Sequence, residues 1–173
     1  MILTGTGNGP QTAIAPGTAS PMSRVNDGGL FEPPGRFVID HGGNIYALGP
    51  YNGTHVFKID ANDGSSSIVA PSVTLSNPSS LALDPSGNLY IADSGNNVIQ
   101  KVDAVTGAVS TAVGTGRQGY SGDGGAATSA DITGPYSLVF DPAGNLYFIE
   151  YPSDYKVHKV DAEIGRASCR ERV

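Results

Sequence analysis

Three aspartates, Asp40, Asp84 and Asp141, occupy the same point of a pattern that recurs along the chain. Carboxylates converging on one axis could hold a metal ion or act as general acid and base. Their neighbours point to a different task. Asp84-Pro85-Ser86-Gly87 and Asp141-Pro142-Ala143-Gly144 place Asp first, Pro second and Gly fourth in a four-residue turn, with Asp40 and Gly43 in matching places. This is type I turn chemistry, in which the aspartate accepts hydrogen bonds from its own turn's backbone amides. Asp40, Asp84, Asp141, Gly43, Gly87 and Gly144 are therefore expected to be turn-forming. The histidines do not converge either: His41 aligns with Pro85 and Pro142, His55 with Val98 and Lys156, and His158 with Phe57 and Gln100. Each reads as an isolated surface or strand residue. With Cys169 as the lone cysteine, a disulfide framework and a multi-cysteine zinc site are excluded. No catalytic residue, metal ligand or cofactor is expected.

One further motif invites a chemical reading. Gly114-Thr115-Gly116-Arg117-Gln118-Gly119 matches G-x-G-x-x-G directly after an apolar run. A dinucleotide site would need a helix next, to present its N-terminus to the pyrophosphate. Tyr120-Ser121-Gly122-Asp123-Gly124-Gly125 follows instead, and it has no helical period.

The elements that must position these residues come from the repeat itself. The pattern Pro-x-x-apolar-x-apolar-Asp-x-x-Gly-Asn-apolar-Tyr starts at Pro34, Pro78 and Pro135, and each copy continues to a Lys-apolar-Asp ending at Asp60, Asp103 and Asp161. Tyr46, Tyr90 and Tyr147 lie 44 and then 57 residues apart, so the second interval carries an insertion of 13 residues in one loop. A unit of this length cannot bury its own apolar face and must stack on copies of itself. Short β-branched and aromatic runs between Gly, Pro, Asn and Asp clusters read as strands. In the second copy they run Leu81 to Asp84, Asn88 to Ala92, Asn97 to Val102 and Ala108 to Gly114. The expected fold is all-β: a partial β-propeller of about three four-stranded antiparallel blades.

The segment Gly87-Asn88-Leu89-Tyr90-Ile91-Ala92-Asp93-Ser94-Gly95-Asn96 with its continuation to Val102 closely resembles the NHL repeat. The resemblance implies a ring of six blades, of which this chain would supply about half, and the loop from Gly114 to Gly125 resembles that of bacterial, often exported members. Residues 34–71 and 78–114 are expected to be blades and 115–134 a long inter-blade loop. Residues 135–161 are expected to form an incomplete blade, and 1–33 the end of a preceding blade plus a loop. Residues 164–173 lack the repeat's character, look like a translated sequencing adaptor, and are expected to be a non-native tail.

In an antiparallel blade with strands a to d, the b–c turns and d–a connections share one end. The long loop joins Tyr51, Asn52, Asp93, Asn96, Glu150, Tyr151 and Asp154 there, and long loops on a rigid scaffold are the usual carriers of binding. The expected contact residues are Arg117, Tyr120, Asp123, Asp93, Asn96, Tyr51, Glu150 and Tyr151. Ten Lys and Arg against sixteen Asp and Glu give a net charge of −6, which argues against nucleic acid and anionic membranes. No apolar run approaches the roughly 20 residues of a membrane span. The function expected is a non-catalytic binding or scaffold module for a protein or other ligand, extracellular or periplasmic, with self-association possible through open blade edges. The competing reading, from the same resemblance, is a fragment of a lyase- or lactonase-type propeller whose axial metal site other blades would complete.

Overall fold

The computed structural model describes residues 36–49, 54–152, 156–162, 165 and 167–170. Among the described residues, twelve strands form three four-stranded antiparallel sheets, each in simple meander order. The first holds β1 (Phe37–Ile39), β2 (Ile45–Leu48), β3 (Val56–Ile59) and β4 (Ser66–Val69). The second holds β5 (Pro78–Leu83), β6 (Leu89–Asp93), β7 (Val98–Val102) and β8 (Val109–Val113). The third holds β9 (Pro135–Phe140), β10 (Leu146–Glu150), β11 (Val157–Val160) and β12 (Ala167–Arg170). These are β-propeller blades.

Two apolar clusters join the blades. Leu48, Val56 and Leu75 meet Leu81, Leu89 and Ile91 between the first two. Ala92, Ile99 and Val113 meet Leu138, Leu146 and Phe148 between the second and third, with Ala127, Ala130 and Ile132 of the long loop filling the gap. Alternation along each strand produces this: Val38 packs into the inter-blade core, whereas Phe37 and Ile39 face the other way, 59% and 56% exposed.

The lower end of every blade carries one repeated polar device. Asp84 Oδ1 accepts from the amides of Ser86 and Asn88, each at 2.9 Å, and its Oδ2 accepts from Asn88 Nδ2 at 2.8 Å. Asn88 Oδ1 then accepts from the Ala104 amide at 2.9 Å, so the a–b turn is tied to the c–d turn. Asp40, Asn44 and Ala61 repeat the arrangement, as do Asp141, Asn145 and Ala162. Gly43, Gly87 and Gly144 sit at φ of 84°, 84° and 83°, which a side chain would strain. Tyr46 and Tyr147 donate their hydroxyls to Asp40 and Asp141. Tyr90 packs edge-on against Phe140, ring centres 4.7 Å apart, and burial, reinforced by the Asp84 charge, pushes its hydroxyl up to about 12.

The third blade ends differently from expectation. Expected to stop after strand c, it has a fourth strand, β12, which falls within the segment expected to be a non-native tail and is paired along β11 from Val160–Ala167 to Val157–Arg170. Asp161-Ala162-x-x-Gly165 repeats the spacing of Asp60-Ala61-x-x-Gly64 and Asp103-Ala104-x-x-Gly107. In all three, the glycine amide donates to the aspartate carbonyl, at 2.9–3.0 Å. The turn thus runs through the expected break, and the exposed backbone edge of β11 takes up the next extended segment by main-chain bonds that require no particular side chains.

After Gly119 the chain passes through irregular backbone to a single 3-10 turn at Ala127–Ser129, so the glycine-rich motif opens no α-helix.

Candidate functional site at the upper end

At the upper end, the third residue after the tyrosine in β6 and β10 is acidic. Asp93 is fully buried; its Oδ1 accepts from the Ser76 amide at 2.8 Å and its Oδ2 from Asn96 Nδ2 at 2.8 Å. Glu150 is also fully buried and accepts from the Thr133 amide at 3.0 Å. Each carboxylate therefore latches the connector that leads into its own blade, at the same separation of 17 residues. Both were expected as contact residues, and neither reaches the surface. Buried polar backbone must be paired, and these connectors use a side chain for it. Burial raises the Asp93 carboxyl above the usual 3.8, the bonds from Asn96 and Ser76 opposing that shift. Asn96 itself is exposed, with its amide committed to Asp93. Tyr51, Asn52 and Asp154 lie outside the described residues.

The long loop is held by a clasp. Asp131 accepts from the Thr115 hydroxyl through Oδ1 and from the Ser121 hydroxyl through Oδ2, and Thr133 Oγ1 donates to the Gly119 carbonyl at 3.3 Å. The Thr115 bond is the main cause of an Asp131 carboxyl pKa held below 3.8. A lowered folded-state pKa stabilises above the unfolded value, and that contribution is lost as pH falls through the lowered one. Protection of the Ser121 amide, which donates to the Asp131 carbonyl, should therefore hold above pH 3.8 and fall below it. Asp131→Asn, unable to accept both hydroxyls, should exchange quickly at neutral pH and show no further acid step.

Clasped this way, the loop presents Arg117, Tyr120 and Asp123, all exposed, with Tyr120 at 51%. The Lys156 ammonium lies 4.5 Å from the centre of the Tyr120 ring. Tyr151, also 51% exposed, is not beside them. Its ring stands 5.8 Å from that of Tyr136, and the Arg36 guanidinium lies 4.2 Å over Tyr136 and donates to its hydroxyl. Arg36 and Tyr136 border an opening of about 500 Å³ along the inner strands, walled also by Ser79, Ser80 and Ser137. Ser79 donates to the Pro135 carbonyl at 2.7 Å and Ser80 accepts from the Leu138 amide at 2.9 Å, so these hydroxyls also bind blade to blade.

Arg36 and Tyr136 were not among the expected contacts, because inside an apolar strand pattern Tyr136 reads as packing. The signal lay in the alignment, where Tyr136 falls on Gly35 and Ser79 and Arg36 on Ser80 and Ser137: large groups stand where the other copies have serine or glycine. Among the described residues, no three His, Cys, Asp or Glu side chains come together as a metal centre.

The NHL repeat pattern matches residues 75–102, the first three strands of the second blade with its latch. The chain is 31% identical over 119 residues to Protein SUPPRESSOR OF QUENCHING 1, chloroplastic, of Arabidopsis thaliana, covering 69% of this chain and 11% of that protein. It is 25% identical over 151 residues to NHL repeat-containing protein 2 of Bos taurus, covering 77% and 21%. The chain thus spans at most about a fifth of these relatives' length. Among solved structures, virginiamycin B lyase from Staphylococcus aureus superposes with a TM-score of 0.58 at 13% identity, over 80% of this chain and 41% of that one, a likeness of fold. Repeat, turn clamp and blade geometry agree: the chain carries an NHL repeat, is similar to an NHL repeat-containing protein and folds into β-propeller blades.

Proposed function

We propose that the chain is a non-catalytic binding module that recognises a protein partner through its upper end. The observation that carries this reading is the Arg36–Tyr136–Tyr151 cluster, in which Arg36 and Tyr151 are exposed and Arg36 and Tyr136 line the inner opening. Arginine and tyrosine are the residue types enriched in interface hot spots, because each offers a rigid, broad surface with a polar tip. Asp93 and Glu150, which sequence placed among the contacts on this end, hold connectors instead. A lysine-poor, glycine- and serine-rich surface suits an exported setting.

The test is capture of partners from host extract by the chain and by variants. Tyr151→Ala and Arg36→Ala should each weaken the captured interaction about 10- to 30-fold, the range of hot-spot truncations. Val105→Asp at the lower end, where Val105 is 93% exposed, should leave it unchanged. A partner lost on Val105→Asp and indifferent to Arg36 and Tyr151 would remove the basis of the proposal.

A further inference from the structure

We propose that the open faces of the first and third blades pack on one another between copies, so that the chain associates end to end with a second copy of itself. Each strand shows one side to the blade before it and the other to the blade after it. In the second blade the side toward the third carries Ala82, Tyr90, Ala92 and Ile99, and all but Tyr90 are buried in the join. The same positions of the third blade hold Val139, Tyr147, Ile149 and Val157. There Val139 is 58% exposed and the other three are partly exposed, with no described blade over them. The opposite side is open at the other end of the array. Leu138 and Phe140 bring the third blade onto the second, and Leu81 and Leu83 bring the second onto the first. In the first blade these positions hold Phe37 and Ile39, both exposed, and Ile68 of β4 on the same side is 44% exposed.

Contiguous exposed apolar side chains of this kind mark interaction surfaces. The occupant follows from the joins already present, because each pairs the same two kinds of side. Ala82 and Tyr90 cluster with Leu138 and Phe140, and Val38 and Tyr46 cluster with Leu81 and Leu83. A side of the Val139 type is thus met by a side of the Phe37 type from the next blade. The chain makes this join twice internally and carries its two unmatched halves at opposite ends, so a second copy supplies each end with the half that fits it. Ser137 offers a polar fastening as well. It occupies the position from which Ser80 accepts from the Leu138 amide across the join, and Phe37 occupies the position of Leu138. Such a head-to-tail contact is heterologous: it closes into a ring if the rotation allows, and otherwise continues as a longer assembly. The inference does not rest on the proposed partner surface of the upper end, and its test reads mass rather than capture.

The test is sedimentation equilibrium of the full chain at about 50 μM, where a join of micromolar affinity is well populated. A mass above the 17.7 kDa of one copy is expected. Phe37→Asp and Val139→Asp each spoil one half of the join and leave the other intact, and each variant alone should run as a single copy. Both side chains are exposed, so the fold should survive, as circular dichroism will check. Ile68→Asp repeats the first-blade test on an outer strand. Mixing is the decisive step: the intact third-blade face of Phe37→Asp meets the intact first-blade face of Val139→Asp, and a complex of one copy of each should form. A wild-type chain that stays a single copy, as it would if its own residues 1–35 covered Phe37, overturns the proposal. Association that persists in either variant alone also overturns it, since like faces would then be meeting like. A mixture that yields no complex does the same.

Discussion

Phe148→Ala is expected to lower the unfolding free energy by about 3–5 kcal/mol, measured by chemical denaturation. The ring is 1% exposed, stacks on His158 and belongs to the cluster that joins the second blade, the long loop and the third. Truncation removes its transfer energy and leaves a void that the sheet, fixed by its ladder bonds, cannot collapse to fill. The same change should loosen the long loop, since Ala130 and Ile132 pack in that cluster. Faster exchange of the Ser121 amide, which donates to the Asp131 carbonyl, would report it. A loss below about 1 kcal/mol would mean the blades are held together elsewhere.

Asp93→Ala should be nearly as damaging, at about 2–4 kcal/mol, because it strands two donors that the carboxylate now satisfies, the Ser76 amide and the Asn96 side chain. Asp93→Asn is the informative partner. Burial already disfavours the charge, so the neutral amide removes that cost while its oxygen still accepts from Ser76. Its loss should stay within about 1 kcal/mol. The sign against pH follows: the Asp93 carboxyl is raised above 3.8, so its contribution is greatest below that value and declines as pH rises through the folded-state pKa, a slope that Asp93→Asn should abolish. Equal damage from both substitutions would assign the stability to the charge and contradict the latch.

The blades were legible because each turn announces itself locally: Asp, Gly and Asn within five residues close a hydrogen-bonded ring that needs nothing from elsewhere. The latches were not, because Asp93 and Glu150 find their partners 17 residues upstream in connectors without a shared motif, Ser76 in one case and Thr133 in the other. An acidic residue beside a turn then reads as a surface group. Strand β12 escaped notice for a related reason, since an edge recruits backbone rather than a side-chain pattern. His158 was read as an isolated surface or strand residue because it aligns with Phe57 and Gln100, and only the folded loop shows that it is enclosed.

The lower clamps and upper latches share a property with consequences for descent. Every one is satisfied within a single connector and its blade, whereas the joins between blades are apolar or rest on hydroxyls such as Ser79 and Ser80 reaching the next inner strand and on the Asn97 side chain, which accepts from the Gly134 amide. Duplicating the stretch of gene that encodes one connector and one blade thus yields a spoke already furnished with its own internal fastenings. A lineage built this way can lengthen its wheel by whole units, and then vary each newcomer at the few hub positions where serine gave way to arginine or tyrosine.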